Sequence, residues 1–476
     1  MSRHPLVVAL AAAIATSALM PAVAQAEDLL QTYELARTGD PQLSGAEAAR
    51  LAIREGSVQA RAALLPQIAG EATLTRSRNE SVHDTLFDPD GAGGPSGAIN
   101  GSLESESTTR DMGVSVRQMI YDHSNITRLR SANALSRASD FQLESASDTL
   151  ITRTSAAYFN VLVQLETLAA AEAAESALKK QFDFASKRLE VGLAPITDVH
   201  EARATYESAR AGVILSRTTV EDAYEALREI TGTPVTNIQG LPVDFQPQLP
   251  ESNGVEQWVQ AAIANNPNLK AKEFQVQSAE ANVSTARAGH LPTLYLNGGY
   301  GDTKRWGSSE FAGIDIPGDG EEHGRGPQLG VTLSVPIFSG GAIQSGVREA
   351  LARRDLEQDE YEQQKRALER NTRNAYQNLV AGISEVEARR LAVVSAQAAY
   401  DASQVGLEVG TRTVLDVLTN QRNLFTASQQ YALARYNFLQ ARLLLEQAAG
   451  TLDVNDVQDI NRLLTVNAEA SVAPKR

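Results

Sequence analysis

The chain has 476 residues, a formal net charge of −15, no cysteine and only 5% aromatic residues. Lack of cysteine excludes disulfides, thiolate metal sites and acylation at a cysteine, and the acidic balance argues against nucleic acid, whose phosphates need a basic face. Few aromatics with abundant alanine suit long helices in close approach better than a thick globular core.

The chain opens Met1-Ser2-Arg3-His4, continues through an apolar stretch from Leu6 to Leu19 and reaches Ala24-Gln25-Ala26 before Glu27-Asp28. A charged start, an apolar middle and an A-x-A site predict a secretory signal peptide over residues 1–26. No later stretch approaches the run of about 18 apolar residues that a spanning helix needs, so any membrane insertion has to use strands.

A first structural repeat is expected over 27–232. Its opening helix, 28–64, has Pro41 near the start and Pro66 just past the end, as helix punctuation requires. Period-two alternation then marks two strands. In 67–75, Ile68, Gly70, Ala72 and Leu74 oppose Ala69, Glu71, Thr73 and Thr75; in 112–121, Met112, Val114, Val116, Gln118 and Ile120 oppose Gly113, Ser115, Arg117 and Met119. Residues 76–111 between them are rich in Gly, Ser, Asp and Pro and read as a loop. A proline-free stretch, 123–191, predicts a helix of about 69 residues, on the order of 100 Å long. A tip at 192–196 and a helix at 197–232 complete the repeat.

The linker 233–255 carries Pro234, Pro242, Pro247 and Pro250. A second repeat, 256–452, follows the same order: helix 256–289, strands 293–301 and 328–338 around a loop at 302–327, long helix 341–409, tip 410–412 and helix 413–449. Residues 453–476 are expected to form a C-terminal equatorial segment and a flexible tail. Landmarks repeat: Asp40-Pro41-Gln42-Leu43 returns as Asn266-Pro267-Asn268-Leu269, Leu65-Pro66 as Leu291-Pro292, and Glu190-Val191-Gly192 as Glu408-Val409-Gly410. The spacing of about 220 residues is far beyond a solenoid period and indicates a duplicated half-molecule.

Alternation alone fits a soluble sheet with one buried face. The long connections on one side of each strand pair, with helices on the other, shift the reading to a membrane barrel. Four strands are too few to close one, since about eight are needed, and lipid tolerates no open edge. Other subunits must therefore complete it: two copies give eight strands and three give twelve.

The segments Glu190 to Val199 and Glu408 to Val417 resemble the paired helix-turn tips of the TolC family of outer-membrane export channels. Asn423 to Leu452, with Ala434-Arg435-Tyr436-Asn437-Phe438 and Gly450-Thr451-Leu452, is similar as well. The resemblance implies an α+β fold: a homotrimer with a twelve-stranded outer-membrane β-barrel, four strands per protomer, continuous with a long antiparallel coiled-coil tunnel in the periplasm. It implies docking to a periplasmic adaptor (membrane fusion protein) and an inner-membrane pump or ABC secretion transporter, and export of drugs, other small molecules or proteins.

It also assigns sites. Arg412 of the second tip would bond to Asp198, with Thr197 beside it, in a neighbouring subunit and latch the entrance. Asp416 would form an acidic ring in the pore entrance. Gly192, Leu193, Gly410 and Thr411 would meet the adaptor. Two departures stand out: Thr419 occupies a position where many members carry a second acidic ring, and Leu407 one where the best-known members carry Tyr.

Neither metal-ligand spacing among the six histidines nor a nucleophile motif is present, so no cofactor, metal or enzyme activity is expected. Trp306 and Tyr300 are candidates for an interfacial aromatic girdle. The competing reading is a non-conducting soluble periplasmic coiled-coil scaffold or adaptor, which would leave the strand edges without purpose.

Overall fold

The computed structural model describes residues 28–87, 97–193, 195–242, 244–249, 254–311, 314–315 and 321–471. The expected signal peptide and the end of the C-terminal tail lie outside the described residues. In chain order the elements are α1 (Leu29–Gly39), α2 (Pro41–Ala62), β1 (Gln67–Phe87), β2 (Gly97–Tyr121), α3 (His123–Glu190), α4 (Ile196–Thr231), β3 (Gln239–Gly240), α5 (Val255–Asn265), α6 (Pro267–Ala288), β4 (Thr293–Phe311), β5 (Ile314–Asp315), β6 (Glu322–Ser334), α7 (Ala342–Glu408), α8 (Val414–Ala449), α9 (Val454–Asn461) and β7 (Val466–Asn467). The chain divides into two compact units: one of Met1–Arg50, Asp140–Ala271 and Tyr361–Arg476, the other of Leu51–Ser139 and Lys272–Glu360.

The second of these units holds an antiparallel sheet in the order β1-β2-β4-β6, with the short β5 paired to the far end of β4. Its strands are longer than their apolar alternation indicates. β1 and β2 stay paired from Gln67↔Arg117 to Phe87↔Gly97, and β4 pairs with β2 out to Phe311↔Leu103. Much of the expected loops 76–111 and 302–327 is therefore strand. The extension is held by polar cross-strand pairs: Arg76 with Glu106, Arg78 with Glu104, and the Ser77 and Ser107 hydroxyls at 3.0 Å. Such pairs stabilise a ladder without leaving a hydrophobic period. β6 ends at Ser334 rather than at 338, because Pro336 has no N–H to donate.

The helices next to the sheet pack through small polar side chains. Thr127 and Thr285 meet hydroxyl to hydroxyl at 2.7 Å, Ser131 and Ser278 at 2.8 Å, and Lys272 bonds Glu360 at 2.6 Å. Buried hydroxyl pairs satisfy each other while letting the backbones come close.

Each expected opening helix is two helices. Asp40 and Asn266 interrupt them, and their side chains accept from the backbone N–H of Leu43 (2.9 Å) and Leu269 (3.1 Å). Pro41 and Pro267 then sit at the first helical position, where a missing N–H costs nothing. The first unit's core gathers on α3 and α8: Tyr158, Phe159 and Leu162 against Tyr436, Phe438, Leu439 and Leu443. Phe159 and Tyr436 stack at 5.9 Å. Inside this core Arg435 pairs with Glu166, donates to the Pro242 carbonyl at 3.1 Å, and Tyr436 donates to Glu166 at 2.8 Å. The inter-repeat linker is thereby fixed. Its β3 pairs with β7, while Glu469 accepts from Tyr224 at 2.6 Å and from the Asn237 backbone at 2.7 Å.

α4 and α8 both end in a left-handed glycine, Gly232 (φ 71°) and Gly450 (φ 68°). Gly450 abuts the α5–α6 junction, where a Cβ would lie 2.6 Å from the Asn265 carbonyl carbon. Gly450→Ala is expected to destabilise the protein by about 2–4 kcal/mol, from the left-handed backbone and the overlap. Urea unfolding checks it, with Gly56→Ala, whose Cβ meets nothing within 4 Å, as control.

Burial, with Asp456 adding, pushes the Glu446 carboxyl from 4.5 up to about 7, and the opposing pull of Arg442 is smaller. The folded chain thus holds a proton there that the unfolded chain has lost. Its contribution is full below pH 4.5 and falls away as pH rises to 7. Glu446→Gln should flatten that slope and raise the unfolding midpoint at pH 8, read by thermal melts at both ends of the window.

Candidate functional site

The helix tips are built by two matching reversals. In the first, the Gly192 N–H donates to the Leu189 carbonyl at 2.9 Å and the Leu193 N–H to the Arg188 carbonyl at 2.8 Å, with Gly192 at φ 75°. In the second, Gly410 donates to Leu407 at 3.2 Å and Thr411 to Gly406 at 2.8 Å, with Gly410 at φ 78°. Both are Schellman caps, which satisfy the last carbonyls of a helix and need a residue free to be left-handed. Gly192, Leu193, Gly410 and Thr411 are all exposed.

The second tip is the more tightly held. The Gly406 carbonyl accepts from the Thr411 N–H, the Thr411 hydroxyl (3.1 Å) and the Arg412 N–H (3.1 Å). A Cβ on Gly406 would stand 2.6 Å from Arg412 Cγ, so only glycine lets the Arg412 stem lie there. Leu407 is 7% exposed and packs with Leu178, Val414, Val417 and Leu418. Apolar contact thus occupies the position of the departure from Tyr. Gly406 escaped sequence reasoning, although its spacing of four from Gly410 was visible.

α8 starts in a capping box. The Asp416 carboxylate accepts from the Thr413 N–H at 2.9 Å and hydroxyl at 2.8 Å, and the Asp416 N–H donates back to the hydroxyl at 3.2 Å. Donation from the Thr413 backbone, then from its hydroxyl, with the Arg412 charge adding, holds the Asp416 carboxyl below the usual carboxylate range. α4 starts differently: Pro195 is its cap with no side-chain bond, and Asp198 sits in its first turn. Thr197 is exposed and Asp198 half-exposed. Among the described residues of one chain, neither Asp198 nor Arg412 makes an ion pair. Within a chain, the charge of Arg412 acts on Asp416.

The sheet supplies the other surface. Its register puts Ile68 beside Val116, Val114 beside Tyr300 and Leu296 beside Val331. These side chains share one face with Leu329 (80% exposed) and Leu333 (64% exposed), and Trp306 stands on the same face. The opposite face is polar, with Thr303 donating to Asp111 at 2.8 Å and Asn297 to Thr332 at 2.9 Å. No described helix is long and apolar enough to cross a membrane.

A model of the outer membrane efflux protein family matches residues 32–233 and 258–451. The chain belongs to that family. The outer membrane protein TolC of Escherichia coli (strain K12) is 33% identical over 446 residues, covering 93% of this chain and 86% of that protein. The alkaline protease secretion protein AprF of Pseudomonas aeruginosa is 26% identical over 450 residues, covering 94% of this chain and 89% of that protein. The fold matches the Campylobacter jejuni CmeC outer membrane channel with a TM-score of 0.72 at 18% identity, over 92% of this chain and 90% of that one. The outer-membrane channel OprN matches with a TM-score of 0.69 at 20% identity, over 89% and 90%.

The two family segments fall on the two repeats, so both tips lie within the family match. As a member, the protein is an outer-membrane export channel, and the family's members are channels rather than enzymes. Its helices are periplasmic. Thr413→Ala, which removes the capping hydroxyl, is expected to loosen the start of α8 by about 1 kcal/mol. Hydrogen exchange of the amides of Val414 to Leu418 should then quicken about fivefold.

Proposed function

We propose that three copies of this chain close a twelve-stranded barrel whose helices form a periplasmic tunnel, an export duct joined at its tips to a periplasmic adaptor and an inner-membrane pump or ABC transporter. The observation that carries the reading is the sheet: an exposed apolar face and two unpaired edges, β1 and β6, among the described strands. Unpaired strand edges cost several kcal/mol per group in hydrocarbon, so other copies have to cover them. The apolar face runs from Leu294 to Tyr300 before charge begins at Asp302. At the strand rise that is roughly 20 Å, a little under the ~25 Å band of outer-membrane barrels. The polar face then lines the lumen, and Tyr300 falls at the outer border of the band, with Trp306 roughly 20 Å further along β4.

Arg412 latches to Asp198 and Thr197 of a neighbouring subunit, and Asp416 forms a ring of three carboxylates at the entrance. With Thr419 in place of a second acidic ring, that entrance favours cations without a tight divalent site. The exposed reversals Gly192-Leu193 and Gly410-Thr411 meet the adaptor. Cargo is small molecules or secreted proteins, selected by the inner-membrane partner.

Single-channel current in a planar bilayer tests the latch. Exposed ion pairs are worth about 0 to 1 kcal/mol each, so three are weak enough for docking to break. Wild type should give a small cation-preferring current that grows severalfold in Arg412→Ser. Equal currents would remove Arg412 from the latch, and no current from a verified oligomer would remove the duct.

A further inference from the structure

The exposed apolar face of the sheet ends in a row of cations. Cross-strand register sets Arg110 of β2 beside Lys304 of β4, and Lys304 beside His323 of β6. One row nearer the helices, Asp302 stands between Met112 and Arg325. These side chains share the face of Val114, Tyr300 and Leu329, because each lies an even number of residues from them along its strand. Like charges directly opposite each other destabilise a ladder, so the row calls for anions.

The described residues supply two. Asp302 accepts from His323 at 2.9 Å and from Arg110 at 3.4 Å, and Glu321 pairs with Lys304. Arg325 has no partner among the described residues. Three permanent cations thus meet two carboxylates, and His323 adds a charge when protonated, on a chain whose net charge is −15. His323 and Arg325 are exposed, and Arg110 and Lys304 half-exposed. β4 starts from the periplasmic helix α6, so Lys304 lies toward the outer leaflet.

A second feature lies on the same face, nearer the helices. Gly298 sits between Val116 and Leu329, in a groove of about 450 Å³ lined by Val114, Val116, Leu296, Tyr300 and Leu329 and by two glutamines, Gln118 and Gln328. Gly298 and Lys304 are six residues apart on β4, roughly 20 Å along a strand. At the tilt of membrane barrels that is about 15 Å of depth, the span of one leaflet. We propose that the outer end of this face binds a phosphorylated glycolipid of the outer leaflet, with its phosphomonoester on Arg110, Lys304 and Arg325 and an acyl chain in the groove over Gly298. A phosphomonoester carries about −1.5 to −2 at pH 7, more than the single charge of a phospholipid diester, and guanidinium forks match its oxygens. The proposal rests on the reading of the apolar face as the one that meets lipid.

The test is native mass spectrometry of the intact oligomer released from detergent and titrated with diphosphorylated lipid A, its dephosphorylated form and phosphatidylglycerol. The mass of the oligomer itself reports that each variant assembles. Wild type is expected to hold lipid A about tenfold tighter than either of the others. Lys304→Gln with Arg325→Gln should weaken lipid A about five- to twentyfold, as the loss of two exposed charge contacts predicts, while Arg305→Gln, on the opposite face of β4, should leave it unchanged. Equal binding of the phosphorylated and dephosphorylated forms would overturn the site. So would phosphatidylglycerol held as tightly as lipid A, or a double variant that binds like wild type. Insertion into phosphatidylcholine vesicles, followed in parallel, separates this site from the reading beneath it. A protein that inserts but ignores the phosphates loses the site alone, and one that does not insert loses the lipid-facing sheet with it.

Discussion

Every backbone N–H and C=O that enters hydrocarbon must be paired, and this requirement governs the rest of the molecule. The sheet meets it between β1 and β2, β2 and β4, and β4 and β6, and leaves it unmet along two outer edges. A soluble sheet could leave an edge to water or blunt it with charge. Here the same strands expose Ile68, Val114, Leu329 and Val331, so water is not the solvent they suit. Apolar face and open edge together make assembly a condition of the fold.

The first unit is held in a different way. Its core is aliphatic and aromatic, but Arg435 and Tyr436 are buried in it, the first in a salt bridge and the second in a hydrogen bond with the partly exposed Glu166. Taking such charges out of water is costly, and a hydrophobic replacement is often as stable. What the group supplies is position. Arg435 also bonds the Pro242 carbonyl, and Tyr436 accepts from the Leu241 N–H at 3.3 Å. The proline-rich linker is thus tied to α3 and α8 by directional bonds that greasy packing could not provide.

Legibility in the sequence followed the strength of the local signal. The left-handed glycines at 192 and 410 and the lengths of the two long helices could be read because a Schellman turn needs glycine and a long run without proline has few alternatives. The outer halves of the strands could not, since Arg76, Arg78, Glu104 and Glu106 give no hydrophobic period and only the paired strand makes sense of them. The breaks at Asp40 and Asn266 were legible in principle as a cap followed by proline, but the longer helical pattern masked them. Likewise Thr413-x-x-Asp416 is a capping-box pattern, though the same Asp also fits a free carboxylate beside a turn.

That capping box separates the two acidic residues of the tips. One oxygen of Asp416 is occupied twice by Thr413, so turning it to a cation on another subunit would expose the first amides of α8. Asp198 carries no such duty: α4 begins at Pro195 without a side-chain cap, and the Asp198 carboxylate is half-exposed in the first turn. A bond that must break and reform belongs on the uncommitted group. On the second tip the Arg412 backbone is fixed to the Gly406 carbonyl while its guanidinium is free of ion pairs among the described residues. A fixed stem with an uncommitted head suits the proposed latch to the uncommitted Asp198 carboxylate of a neighbouring subunit, and it would leave Asp416 to hold its helix.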